Sequence, residues 1–340
     1  MAQKITLKEL SQLLNLSVST ISKSLNNSPE ISENTKRRVK EVALLNRYIP
    51  NVAAKNLKAQ RTRSIGVIIP SIRSPFFSEV VQGIEGQARK MNYKVIICIT
   101  HESLEKEKAC VENLIESRVD GIILSPSRET QSQKNINHIN TLYSYDIPFV
   151  LFDRLIDSLK CDKISIDDTL HAELAANELF NAGSRKIGFI SDRINICIHE
   201  KRKAGYVQAM KSLRLPLCTI EFENSFPSRK ILDKVRNNQL DGILASTETV
   251  AIHTMRYLLQ AGVNIPEEVA VIGFSNSNIS KYFMPSLSAI DQCATHQGEL
   301  AMETLADRLS GKLSNELMTY KLNAQIIHRQ STRNIKEQIA

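Results

Sequence analysis

The chain has 340 residues, 42% of them hydrophobic and 24% charged, with a formal net charge of +8. That length exceeds one ordinary globular domain and the composition suits a folded chain, which argues against a single-core mini-protein, a disordered chain and a membrane protein. The charge surplus is local: residues 1–63 hold twelve Lys and Arg against four Glu, while the remaining 277 residues hold 32 basic and 32 acidic side chains. A small basic module therefore precedes a large neutral one. Concentrated positive charge is the footprint of a polyanion binder, although basic segments also serve as plain solvated surface. The six cysteines (Cys98, Cys110, Cys161, Cys197, Cys218, Cys293) form no C-x-x-C pair, which predicts reduced, mostly buried thiols and neither a disulfide framework nor a zinc site. No apolar run reaches about 18 residues and the opening MAQKITLKEL lacks an apolar signal segment, so the expected location is the cytoplasm.

Thr6 precedes Leu7, Leu10, Leu13 and Leu14, with Glu9 three residues after it, and this predicts a capping box opening a short helix over about 7–14. Asn15 tolerates the left-handed conformation that turns one helix into the next. After the cap candidate Ser17, a second helix puts Ile21 and Leu25 on one face and Ser19, Thr20, Ser22 and Lys23 on the others. Small hydroxyl side chains and one Lys suit entry into a major groove, and helix, turn, helix is the arrangement whose second helix reads bases from its N-terminal end. A plain helical hairpin with serines facing water is the alternative. A third helix, from Ser32 to about Asn46, carries the stripe Val39, Val42, Ala43 and Leu45 that closes a three-helix core.

The run from Ile5 to Leu57 resembles the DNA-binding domain of the lactose-repressor (LacI/GalR) family of transcription regulators. The resemblance rests on Leu16-Ser17-Val18-Ser19-Thr20-Ile21-Ser22-Lys23, Arg47-Tyr48-Ile49-Pro50-Asn51 and Ala54-Lys55-Asn56-Leu57. It implies that Val18 and Ser19 read bases, that Thr20, Ser22 and Lys23 hold phosphates or base edges, and that Thr6, Ser17, Asn26, Tyr48, Asn51, Ala54 and Lys58 complete the DNA contact. The family's alanine late in the first helix is Leu13 or Leu14 here, and its turn glycine is Asn15. Residues 51–63 are expected to form a hinge helix and linker. So short a helix is unstable alone, and the family implies that two of them pack in the minor groove of a dimer's operator, with Leu57 wedged into a base step that kinks. Leu57 as an ordinary linker residue is the alternative.

From Ser64 the pattern becomes short apolar runs separated by helical stretches. The runs Ile65–Ile69, Val95–Ile99, Gly121–Leu124, Pro148–Phe152, Lys163–Ile166, Lys186–Ile190, Asp241–Leu244 and Val269–Gly273 predict parallel strands, the first two buried on both faces. Two doubly wound lobes fit so many strands better than one sheet, and ligands of such folds lie off the carboxyl ends of the strands, in a cleft between lobes. The fold class is thus an all-α helix-turn-helix domain (residues 1–50) plus an α/β two-lobed core (64–340). Lobe 1 spans about 64–160 and 293–320; lobe 2 spans about 161–292 and 321–330.

The core resembles the same family's regulatory domain, which is similar to periplasmic sugar-binding proteins. Ser74-Pro75-Phe76-Phe77, Phe152-Asp153-Arg154 and Lys201-Arg202-Lys203-Ala204-Gly205-Tyr206 carry the likeness. It implies effector contacts from Asp153 and Arg202, stacking faces from Phe76 and Phe226, and further contacts from Thr247, Ser275, Asn276 and Gln292. Arg202 offers a bidentate fork to an acidic effector, or pairs with Glu200 at the surface. The family's A-N-D and G-[FY]-D-D segments stand here as Ser246-Thr247-Glu248 and Gly273-Phe274-Ser275-Asn276, so the neutral-sugar clamp is incomplete and the effector is expected to differ from the common sugars, for instance by carrying negative charge.

No dinucleotide, phosphate-loop, nucleophile-elbow or zinc-protease motif is present, so no enzyme, cofactor or metal is expected. Asp167 and Asp168, adjacent at a strand-to-helix junction, point apart, and Asp168 reads as a helix cap. The expected protein is a dimeric regulator, a repressor, on a pseudo-palindromic double-stranded operator, its affinity set by a small, carbohydrate-derived effector. A solute receptor without a DNA role, or a regulator answering to a protein partner, are the alternatives. No leucine heptad follows Leu322, which favours a dimer over a coiled-coil tetramer.

Overall fold

In a computed structural model of the chain, residues 5–48, 61–192, 196–314 and 316–333 are described, and the chain divides into two compact units, Met1–Thr62 and Arg63–Ala340. The first unit holds three helices, α1 (Leu7–Leu14), α2 (Val18–Leu25) and α3 (Glu33–Leu45), around a core of Leu10, Leu14, Ile21, Val39 and Ala43. Leu45 is 82% exposed and does not join that core. At 100° per residue, Val39 and Ala43 share a face that position 45 has already left.

The second unit contains two six-stranded sheets. Strands β1 (Ser64–Ile69), β2 (Lys94–Ile99), β3 (Gly121–Leu124), β4 (Phe149–Phe152), β5 (Asp162–Ile166) and β11 (Thr319–Leu322) form the first, all parallel, in the order β11-β5-β4-β3-β1-β2. The second joins β6 (Ile187–Ser191), β7 (Thr219–Glu221), β8 (Gly242–Ala245), β9 (Ala270–Phe274), β10 (Ser288–Asp291) and β12 (Gln325–Ile327) in the order β12-β10-β9-β8-β6-β7, with only β12 antiparallel to its neighbour. Crossover helices cover both faces, which is why most strands read as unbroken apolar runs. In the first lobe α4 (Pro75–Lys90) and α13 (Ala294–Ser310) cross in close backbone contact. A Cβ at Gly83 would lie 2.1 Å from the Thr295 carbonyl oxygen, and one at Gly298 would lie 2.1 Å from that of Val80.

Three expectations are corrected here. Strand β2 is an edge strand with Lys94, Ile96 and Ile97 exposed, because only β1 pairs with it. Strand β5, assigned from the sequence to lobe 2, pairs with β4 in the first sheet, and Arg308 of α13 clamps its Asp162 at 2.6 and 3.0 Å. Strand β11, divided by the expected boundary, lies wholly in the first sheet, so the chain crosses between sheets after Leu322. The proposed hinge, with Ala54, Leu57 and Lys58, lies outside the described residues. All six thiols are free; Cys161 is buried and the other five are half-buried. Among the described residues no helix is long and apolar enough to cross a membrane.

Candidate functional site

In the first unit the local rules read from the sequence hold atom by atom. Thr6 N–H donates to Glu9 Oε2 at 2.6 Å, and Thr6 Oγ1 accepts from Glu9 N–H at 3.3 Å, closing the capping box of α1. Asn15 turns the chain at φ 52°, and Ser17 Oγ caps α2 by accepting from Thr20 N–H at 3.1 Å. These anchors present the first turn of α2 outward: Val18 is 43% exposed, Ser19 is exposed, and the Ser19 and Thr20 hydroxyls share Ser17 Oγ at 2.8 Å each. An exposed apolar residue beside hydroxyls matches the methyl and acceptor edges that a major groove displays. Ser22 is half-buried, Asn26 Nδ2 donates to the Ser22 carbonyl at 2.8 Å, and Lys23 is ion-paired with Glu30. Tyr48 packs on the three-helix core, where burial pushes its phenol pKa up. Asn51, like the rest of the expected hinge, lies outside the described residues.

In the second unit the carboxyl ends of strands from both sheets converge on one cleft, where a doubly wound fold places its ligand. It is lined by Ser74 to Phe77 and Asp153 from the first lobe, and by Ile198, Arg202, Thr247 to Thr249, Phe274, Ser275 and Gln292 from the second. Six expected effector residues meet here: Phe76, Asp153, Arg202, Thr247, Ser275 and Gln292. Two do not line it. Asn276 turns away, donating to Asp291 Oδ2 at 2.8 Å and accepting from Arg329, and Phe226 packs on Phe222 and His253 in the second lobe's outer cluster. Asp153 and Ser275 hold left-handed backbone at φ 60° and 83° at the ends of β4 and β9. For non-glycine residues such conformations cost about 1–3 kcal/mol and persist where surroundings fix them, often at binding sites. The cavity encloses about 50 Å³, so a sugar-sized ligand enters only when the lobes part or side chains move.

Arg202 is the best-defined group of the cleft, 2% exposed. It sits on α9 (Cys197–Ser212), which lies against α8 (Asp168–Asn181) because Gly205 leaves room for the Thr169 carbonyl oxygen, 2.0 Å from where a Cβ would stand. Arg202 Nε donates to Asp168 Oδ1 at 2.8 Å, Nη1 donates to the Ser246 carbonyl at 2.6 Å, and the guanidinium carbon lies 3.8 Å from the Phe274 ring centroid. Nη2 is buried and has no hydrogen-bond partner among the described residues. The pairing with Glu200 is thus replaced by Asp168, while Asp167, and not Asp168, caps α8 by accepting from Leu170 N–H at 3.1 Å.

Neither Glu248 nor Asp168, which read as a helix cap, was expected among the groups of the cleft. Glu248 opens α11 (Glu248–Gln260), lines the cleft and is fully engaged, accepting from Ser277 N–H at 3.2 Å and from the hydroxyls of Ser277 and Ser280 at 2.8 and 2.5 Å. The signal in the chain is the serine run 275, 277, 280, which a buried carboxylate can organise. Arg154, fully buried, is matched by Glu102 at 2.6 and 2.8 Å. Asp153 Oδ2 lies 3.9 Å from the same guanidinium, at its Nε. Burial, with Asp291 and Glu248 nearby, raises the pKa of Glu79. Arg202, the group expected to anchor an acidic effector, is thus already paired with the Asp168 carboxylate.

Comparison with known proteins agrees with this division of labour. Residues 6–51 match the model of bacterial regulatory proteins of the lacI family, and residues 176–332 match a periplasmic binding protein-like domain. A periplasmic binding protein/LacI transcriptional regulator from Alkaliphilus metalliredigens, solved with D-xylulofuranose, is 30% identical, with a TM-score of 0.68 over 80% of this chain and 100% of that one. The chain belongs to the lacI family. Within it, the repressor PurR of Aliivibrio fischeri is 29% identical over 337 residues, 97% of this chain and 98% of that protein. The lac repressor dimer bound to operator and the anti-inducer ONPF shares the fold at a TM-score of 0.86, 20% identity, and coverage of 98% and 100%. This lacI-family member is a DNA-binding transcriptional regulator.

Proposed function

We propose that the chain acts as a dimeric repressor on a pseudo-palindromic operator, and that its DNA affinity is set by a neutral, monosaccharide-sized effector held between the lobes. The carrying observation is Arg202: its charge is balanced by Asp168 while Nη2 stays buried without a partner among the described residues, which suits a hydroxyl oxygen better than a carboxylate. Asp153 stands across the cleft as an acceptor for a second hydroxyl, and Phe76 offers an apolar face to the ring's C–H groups. The relative solved with D-xylulofuranose supports a pentose. Val18 and Ser19 are the base readers in this proposal, Thr20, Ser22 and Lys23 position the phosphates, and Asn51, Ala54, Leu57 and Lys58 act from the hinge.

A thermal-shift panel on the full chain with D-xylulose, D-ribose and D-ribonate tests the effector class. A ligand at about 100 times its Kd stabilises by about 2.7 kcal/mol. The expected result is a shift with a pentose, none with ribonate, and loss of the shift in Arg202→Ala. Preference for ribonate would refute the neutral class.

A further inference from the structure

Helix α9 carries Ile198 and Arg202 into the cleft, yet its cap residue is Ile196, which has no side-chain acceptor for the helix's orphan amides. An acceptor arrives from the other lobe. Gln131, on the short helix α6 (Arg128–Ser132) that follows β3, accepts from Cys197 N–H through Oε1 at 2.9 Å and donates through Nε2 to Cys197 Sγ at 3.4 Å. Both functions of one amide are thus spent on the first residue of α9. Beside the contact lies a cavity of about 470 Å³, with Leu155 and Ile156 from the first lobe and Ile196 from the second among its walls, so the lobes meet at Gln131 with open space alongside. Burial, with Asp153 of the first lobe adding repulsion, raises the pKa of the Cys197 thiol and keeps it protonated.

We propose that Gln131 caps helix α9 in trans, across the cleft, so that the first turn of the helix bearing Arg202 is fully ordered only while the lobes are closed. A Ser, Thr or Asn at position 196 would cap α9 at any lobe separation; a cap from the opposite lobe makes helix order and closure one equilibrium. Opening the cleft to admit or release a ligand costs the cap, and Gln131 is a positioning residue for Arg202. This deepens the effector reading and rests on it only for the consequence in ligand affinity; the cap itself is tested without ligand.

The experiment is hydrogen exchange by mass spectrometry on the full chain, with iodoacetamide alkylation of Cys197 as a second readout, for wild type, Gln131→Leu, Gln131→Asn and Gln131→Glu. Leucine removes the acceptor, asparagine shortens the reach by one carbon, and glutamate keeps an acceptor of the same length. The expected result is exchange of the amides of residues 197–200 about fivefold faster in the Leu and Asn variants, as loss of a cap implies. Cys197 alkylation accelerates alongside, and the Glu variant exchanges like wild type. Wild-type exchange in the Leu and Asn variants, or equal acceleration in all three, would overturn the proposal. Because no sugar is added, failure of the pentose reading leaves this result standing.

Discussion

Asp168 and Arg202 meet at 2.8 Å with both side chains almost out of reach of water. A buried guanidinium without its carboxylate is far more costly than the pair is stabilising. Asp168→Ala should therefore lower stability by about 3 kcal/mol, read as a shift in the urea midpoint at constant slope; a change below about 0.5 kcal/mol would mean that water reaches Arg202. In the first unit, Lys23 holds Glu30 in an exposed ion pair, which a phosphate would displace if Lys23 takes the role proposed for it. Such pairs contribute at most about 1 kcal/mol. Glu30→Gln should tighten DNA binding a few-fold at low salt and steepen its salt dependence, whereas unchanged affinity in an anisotropy titration would remove Lys23 from the phosphate contacts. The residues legible in the sequence were those with a short-range signature: Thr6 with Glu9, Ser17 as a cap, Arg202 in its motif. Asp168 and Glu248 were not, because their partners lie 34 and 29 residues away or more, and only the tertiary fold brings them together.

Among the elements, α2 depends on its cap and α9 on a close approach. Ser17→Ala should cost about 1 kcal/mol of helix-turn-helix stability, with Ser17→Asp restoring it; differential scanning calorimetry that shows no loss would place the cap elsewhere. Gly205→Ala sets a methyl 2.0 Å from the Thr169 carbonyl oxygen. The backbone cannot yield as a side chain would, so a loss of about 1–3 kcal/mol and weaker ligand binding through the displaced Arg202 are expected. The cap of α8 also carries a pH dependence. Hydrogen bonds from Lys321 and from Leu170 N–H hold the Asp167 pKa below its ordinary value. Its contribution is therefore complete above the ordinary Asp range and is lost as pH falls through the lowered value. Asp167→Asn should flatten that acid-side slope in a pH series of melting curves. Eight of the twelve described strands were anticipated, because each coincides with an apolar run; β7, β10, β11 and β12 are short or half-exposed and carry no such run.

At the scale of the whole chain, the division into a basic reader and a neutral two-lobed core was plain from where the charge sits, since residues 64–340 balance to zero. Which lobe owns β5 was not, because the chain crosses between sheets several times and only the Asp162–Arg308 clamp and pairing with β4 settle it. The charge of the cleft was likewise out of reach, since an arginine reads as positive until its buried partner is known. Ligand and operator affinities are linked reciprocally if closure of the lobes is what the DNA-binding unit senses. The most direct test is an anisotropy titration of the full-length chain on a duplex selected by it from a random pool, at fixed salt, with and without a saturating pentose, for wild type and Arg202→Ala. The account predicts a change in operator affinity of at least about fivefold in wild type and none in the variant. An affinity that no cleft-binding sugar moves, or a shift that survives Arg202→Ala, would contradict it.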